Sequence, residues 1–401
     1  MKALSVLQFR NYLLGAFVSE IGNQMQIVAV AWQIYEMTRN PAALGFIGIA
    51  NFLPIILFSL FGGLVADKVN RKKLLTIVYS IQATIVFVLF TLSWTQSLNP
   101  PIIYLILVLL STFQSFSIPA RQAILPHLVP KPMFMNAVSL HTLQFQSATM
   151  IGPAIAGILI AGFGVSSVYF FNAVSFLFYV GIVLFLKIPP PSNEVEFTLS
   201  SIKEGINFVI KTPILYTTMI LDFLATFLGT ATILMPIFAK DVLHVGATGL
   251  GLLYSAPAIG GILAGVLMSF IHKLGNQGKM IIVSIILYGL AIIGFGLSKV
   301  FVISVFFLIL MGFGDMVSTV IRNTIRQVIT PDHLRGRMGS IMRMFFQGGP
   351  QLGEIEAGFL AKAIGGPATV VVGGIGVVVI TAIIALKNKS LRNYQGKEVT
   401  V

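Results

Sequence analysis

The chain has 401 residues, 56% of them apolar and only 10% charged, against about 25% charged in soluble domains. Its apolar stretches of about 20 residues match a ~30 Å hydrocarbon core, which excludes a soluble enzyme and a disordered chain, and the lack of two-residue alternation excludes an outer-membrane barrel. No cysteine is present and the net charge is +13; disulfides and thiolate metal sites are ruled out, and the charge reads as basic cytoplasmic connections rather than a nucleic-acid surface.

In chain order, hydropathy predicts twelve spans. The first six are 12–36, 43–66, 74–95, 102–121, 136–162 and 167–187; the second six are 213–239, 248–271, 280–298, 301–322, 338–362 and 367–386. The stretch after Lys2 and Arg10 runs to about Thr38, too long for a signal-peptide core. With the N-terminus cytoplasmic, 21 of the 26 Lys and Arg fall on the cytoplasmic side, Arg121 and Arg322 among them. Arg39, Lys240, Lys299 and Lys362 fall on the other side, and Arg343 lies within a span. This asymmetry predicts cytoplasmic termini in the inner membrane. The expected organisation is a six-helix half at 1–188, a connection at 189–212 and a second half at 213–401. In the connection, Pro189, Pro190 and Pro191 precede Ile202, Ile206, Phe208, Val209 and Ile210. Their spacing predicts a short amphipathic helix on the membrane surface, acting as a tether.

The two halves repeat. Shifted by 201 residues, 121–164 lie without gaps on 322–365 with eleven identities in 44 positions, among them Arg121/Arg322, Pro130/Pro331, Phe145/Phe346, Gln146/Gln347, Gly152/Gly353 and Gly164/Gly365. Six spans separate the copies, so they keep one orientation. A parallel repeat of this kind is the plan of two-half transporters that hold substrate near the midplane.

After the second span stands Gly63-Leu64-Val65-Ala66-Asp67-Lys68-Val69-Asn70-Arg71-Lys72-Lys73. Glycine there permits close helix approach, and an acid at a helix end can cap a helix or pair with Arg71. This run resembles the signature loop of the major facilitator superfamily, with Asn70 where a second glycine is usual. The segments 118–126, 247–251 and 334–338, with the tether, are similar to the exporter branch that includes enterobactin and macrolide exporters. The resemblance covers essentially the whole chain. Gly152-Pro153-Ala154-Ile155-Ala156-Gly157 resembles the antiporter signature of the fifth span, in which small residues let spans 5 and 8 approach. The resemblance implies conformational roles for Gly63, Asp67, Arg71, Lys72, Arg121, Gly152, Pro153, Gly157 and Arg322. It also implies a cavity lined by spans 1, 4, 7 and 10.

Ionisable groups within spans are costly in lipid and are functional candidates. They are Glu20, Asp222, Asp315, Arg343, Glu354 and Glu356. Glu20 and Asp222 stand 202 residues apart, close to the repeat shift. With Asp315 and Arg343 they fall about 9–15 Å into the membrane at ~1.5 Å per residue. A partly desolvated acid at that depth suits proton loading and release near neutral pH; the competing reading is a fixed pair with Arg343. Asn23, Gln24 and Gln26 give Glu20 a polar face, making it the first choice for coupling, whereas Asp222 lies among Leu221, Phe223 and Leu224. Asn51, His141, Gln144, Gln146, Phe145, Phe223, Phe227, Phe345 and Phe346 complete the candidate cavity, with Glu354 and Glu356 as further polar candidates.

The expectation is an all-α, twelve-helix major facilitator transporter, without enzyme activity, cofactor, metal or nucleic-acid partner. It is expected to act as a monomer among membrane lipids, exporting an amphipathic or hydrophobic small molecule of drug or siderophore type in exchange for protons. A lysophospholipid or other lipid carrier is the alternative, and a non-transport membrane protein is the reading from another class.

Overall fold

Asparagine and proline start the first helices. α1 (Leu7–Thr38) stops at Arg39, whose left-handed backbone turns the chain. Asn40 then caps α2 (Pro41–Lys68) by accepting from the Ala42 amide, with Pro41 filling the first turn. Asn70 caps α3 (Arg71–Trp94) by accepting from the Lys72 and Lys73 amides, and Asn99 does the same for α4 (Pro100–Ile124). α5 (Phe134–Phe163) and α6 (Val165–Phe185) complete the first series. The chain continues through α7 (Leu199–Lys211), α8 (Pro213–Leu228), α9 (Met235–Ile237), α10 (Gly246–Ser269) and α11 (Gln277–Leu297), then α12 (Phe301–Ile329), α13 (Arg335–Ile364), α14 (Gly366–Lys387) and α15 (Lys389–Arg392).

This is a computed structural model, and it describes residues 2–188, 199–271, 275–331 and 334–396. Within the helices, the side chains at 60, 63, 64, 66, 67, 199–203, 205 and 335–347 lie outside the described residues. That excludes the side chains of Gly63, Asp67, Ile202, Arg343, Phe345 and Phe346, as well as the proline run in 189–198, from the account below.

The described secondary structure is entirely helical, and eleven of the helical stretches are long and apolar enough to cross a membrane. α13 has 30 residues, ample length for a crossing, but its sequence includes Arg335, Arg337, Arg343, Glu354, Glu356 and Lys362. Large apolar side chains such as Trp94, Phe185 and Leu386 are exposed, which a hydrocarbon solvent tolerates and water does not. The chain is therefore an all-α, multi-pass membrane protein.

The helices fall into two units, Met1–Glu196 with Val245–Ser255 and Phe197–His244 with Ala256–Val401. In the first, α1 packs on α5 and α6, α2 on α4, and α3 on α4 and α6. Its core includes Tyr12, Tyr79, Tyr169 and Tyr179. In the second, α11 packs on α12 and α14, and α8 on α13 and α14. Leu215, Ile281, Ile285, Ile321 and Leu391 fill its core.

The repeat reappears as geometry. Gly164 ends α5 with φ 79°, and Gly365 ends α13 with φ 87°; each joins two consecutive helices at a backbone angle that side-chain-bearing residues disfavour. Gly152 and Gly353 also occupy matched places. A Cβ at Gly152 would lie 2.6 Å from Gln24 Cβ on α1, and one at Gly353 would lie 2.6 Å from Thr230 Oγ1, just past α8. In both units the same glycine lets the repeated helix press against the helix that carries the acid.

Two expectations change. The stretch 213–239 is not one continuous helix: α8 ends at Leu228, Gly229 is its C-cap, and the chain resumes through a 3-10 turn at Thr232–Leu234, α9 and one π turn at Phe238–Val242. Gly229 weakens the helix and Pro236 cannot donate a backbone bond. The carbonyl of Gly229 accepts instead from the Tyr288 hydroxyl at 3.2 Å. The tether helix α7 is present, but Val209 is buried and Phe208 packs against the core of the second unit. Only Ile206 and Ile210 of the described apolar set remain exposed.

Candidate functional site

In the first unit the site begins with Glu20 on α1, 7% exposed. A carboxylate so buried requires partners. Arg121, in the last turn of α4, brings Nη1 to 3.6 Å from Oε2. Gln24, one turn along α1, donates from Nε2 to Oε1 at 3.1 Å. The same Arg121 Nη1 donates to the hydroxyl of Tyr79 on α3 at 3.2 Å. Tyr79 packs on Tyr179 of α6 with ring centroids 4.5 Å apart, Tyr179 lies 6.2 Å from Tyr12 of α1, and Tyr12 stacks on His141 of α5 at 6.4 Å. One guanidinium thus sits between one carboxylate and a cluster of phenols.

The other candidates of this unit divide. Gln26 is buried and accepts from Asn172 Nδ2 at 2.7 Å, and Asn51 accepts from Ser111 Oγ at 3.2 Å; both are engaged in helix-to-helix bonds. Asn23 and Gln146 are half-buried and Phe145 is exposed. Gln144 is buried with neither amide atom partnered among the described residues. Arg71 Nη1 lies 3.0 Å from His127 Nε2 and donates to the Ala123 carbonyl at 3.4 Å; Lys72 Nζ donates to the Leu186 carbonyl at 3.1 Å. These two cations tie the start of α3 to the ends of α4 and α6. Pro153 lies within α5. Gly157 of the same helix meets the first turns of α10, where an added Cβ would stand 2.6 Å from the Ala247 carbonyl. This is the close approach expected of the small-residue run.

The second unit holds a different arrangement. Asp222 on α8 is 4% exposed and faces two arginines of α12: Arg322 Nη2 at 2.5 Å and Arg326 Nη2 at 3.8 Å. Arg322 also donates to Ser318 Oγ at 2.8 Å and Thr319 Oγ1 at 2.9 Å, and Arg326 donates to Asn323 Oδ1 at 3.2 Å. Asp315 lies on the same helix, exposed and hydrogen-bonded to Thr319. Phe223 and Phe227 stack in parallel, 6.1 Å between centroids, on the face of α8 that meets Gly349 and Gly353 of α13. Glu354 and Glu356 are half-buried further along α13.

Among the described residues, then, Glu20 faces Arg121, and Asp222 faces Arg322 and Arg326; Arg121 and Arg322 are repeat-related, and the sequence count assigned all three to the cytoplasmic side. α4 and α12 extend past the predicted spans, to Ile124 and Ile329, and draw these arginines into packed helices. Sequence reasoning also missed Arg326 and the tyrosines. The first had a signal, because residues 322 and 326 share a helix face. A tyrosine in an apolar span carries none.

Apolar spans, an internal parallel repeat and a buried acid–arginine pair in each unit define a secondary transporter of the major facilitator type. The sequence matches the transmembrane secretion effector family over residues 2–399, and the chain belongs to that family. It is 27% identical over 395 residues to the enterobactin exporter EntS of Citrobacter koseri, covering 96% of this chain and 93% of that protein. It is 25% identical to the staphyloferrin A transporter of Staphylococcus aureus, over 94% of this chain and 95% of that one. The crystal structure of the nucleoside transporter NupG shares the fold, with a TM-score of 0.75 at 14% identity, over 94% of this chain and 98% of that one.

Proposed function

We propose that the protein exports an amphipathic small molecule of siderophore type across the cytoplasmic membrane, exchanging it for protons by alternating access of two six-helix halves. Glu20 is the coupling acid, and the observation that carries this reading is the asymmetry of the two ion pairs. Glu20 meets a single guanidinium at 3.6 Å, and that guanidinium has a second acceptor, so the acid can change charge without stranding its partner. Asp222 faces two guanidinia, and its protonation would leave both without their shared counter-charge. Asp222 with Arg322 and Arg326 is therefore a fixed structural element.

The names of the two relatives, an enterobactin exporter and a staphyloferrin A transporter, support the substrate class. In the first unit the buried Gln144 and half-buried Asn23 offer polar groups of the kind such a molecule needs. The basic asymmetry of the sequence supports cytoplasmic termini and twelve crossings, with α13 as one of them. In this cysteine-free chain, Ser97→Cys and Ser390→Cys test that topology: a membrane-impermeant maleimide added to sealed cells should label the first and spare the second.

The transport test uses inside-out vesicles with an acidic lumen and a radiolabelled tricatecholate siderophore. Accumulation that collapses with the pH gradient is expected. Uptake indifferent to the gradient would remove proton exchange, and accumulation of lysophospholipid in place of the siderophore would replace the substrate class.

A further inference from the structure

Arg121 presents one nitrogen, Nη1, to two acceptors: Glu20 Oε2 at 3.6 Å and the Tyr79 hydroxyl at 3.2 Å. The tyrosine is already the nearer of the two. Tyr79 is held by ring packing on Tyr179 and Phe176, with centroids at 4.5 and 5.5 Å, and is itself buried. We propose that Tyr79 is a positioning residue for the proton-coupling step, its hydroxyl retaining the Arg121 guanidinium while Glu20 carries a proton. This rests on the reading of Glu20 as the coupling acid.

The step is a simple transfer. A hydronium ion gives its proton to the Glu20 carboxylate and is left as water, Gln24 keeps its bond to Oε1, and Arg121 stays charged throughout. A buried guanidinium deprived of every acceptor is strongly disfavoured, so the protonated state depends on what else Nη1 can reach. Tyr79 is that acceptor. Among the described residues, Tyr12 from α1, Tyr79 from α3, His141 from α5 and Tyr179 from α6 lie within electrostatic reach of the guanidinium, and none of these four is a second carboxylate. In the second unit Arg322 Nη2 is likewise shared, between Asp222 Oδ1 and the Thr319 hydroxyl at 2.9 Å, but there Asp222 must balance two cations.

Tyr79→Phe removes one oxygen and keeps the packed ring. It penalises the protonated state of the pair more than the ionised one, because an ionised carboxylate takes over the freed donor more strongly than a neutral acid does. The readout is an infrared difference titration of the full-length protein in lipid nanodiscs, following the carboxylic-acid carbonyl band that disappears in Glu20→Gln. The midpoint of that band should move to lower pH in Tyr79→Phe, by about tenfold in proton concentration, the worth of roughly one hydrogen bond. If Tyr79→Phe does not fold, 3-fluorotyrosine at position 79 keeps the shape and weakens the acceptor, and a smaller shift in the same direction is expected. An unchanged midpoint overturns the role of Tyr79 and leaves Glu20 as the coupling acid. A titrating band that persists intact in Glu20→Gln overturns the coupling reading itself, and this inference with it.

Discussion

In the first unit α1 runs unbroken for 32 residues, and its acid shares one arginine with a tyrosine. In the second, the corresponding stretch breaks after Leu228, and its acid is clamped between two arginines. The same repeat supplied both, since Arg121/Arg322 and Gly152/Gly353 are matched positions. The difference teaches that a buried ion pair is rigid or switchable according to the number of its partners. When the carboxylate takes a proton, a single cation leaves one charge for neutral acceptors to hold, whereas two cations on one carboxylate leave two. The break matters for the same reason. The helix that carries Asp222 ends just beyond it, at Leu228, whereas α1 continues without a break from Glu20 to Thr38.

The comparison can be broken most sharply at the clamp. Asp222→Asn leaves Arg322 and Arg326 without their shared carboxylate, and should cost about 3–5 kcal/mol of stability, read as a large fall in the thermal unfolding temperature in detergent. Glu20→Gln should cost less, about 1–3 kcal/mol, because Arg121 keeps the Tyr79 hydroxyl. Equal losses in the two variants would erase the distinction between clamp and switch.

The matched glycines sharpen it next. Gly353→Ala drives a Cβ into the Phe227 carbonyl and to 2.6 Å from Thr230 Oγ1, and Gly152→Ala drives one to 2.6 Å from Gln24 Cβ and 3.0 Å from the Ile21 carbonyl. Overpacking of this kind costs about 1–3 kcal/mol. Gly353→Ala should be the worse tolerated of the two in the same unfolding assay, since its obstacle is main chain beside the break in the helix. The smallest effect is expected at the break itself. Tyr288→Phe removes the donor to the Gly229 carbonyl and should lower stability by about 1 kcal/mol. Tyr79→Phe should instead show its main effect in the pH profile.

Much of this was legible in the sequence where local chemistry alone decides. Asn40, Asn70 and Asn99 cap helices through their own side chains, and Gly164 and Gly365 are needed for a positive φ. The repeat is readable in part because Gly164 and Gly365 fall at that shift. Less was legible where packing decides. Residue counting gives the depth of Glu20 along its helix but not the direction in which it points, so the depth count suggested Arg343 as its partner and passed over Arg121. Helix rotation is set by contacts such as Gly152 on α1, which lie more than a hundred residues apart in the chain. The break after Leu228 was hidden because 229–235 remains apolar, and Tyr79 because a tyrosine in an apolar span looks like core until its hydroxyl is seen to meet a guanidinium.

The most direct test of the account sets Glu20→Gln beside Asp222→Asn in proteoliposomes, with a tricatecholate siderophore and with or without an imposed pH gradient. The account predicts that Glu20→Gln loses accumulation driven by the gradient and keeps exchange of labelled for unlabelled substrate. Asp222→Asn should lose both together, in proportion to the folded protein lost. Full gradient-driven accumulation by Glu20→Gln would contradict the assignment of coupling to the singly paired acid.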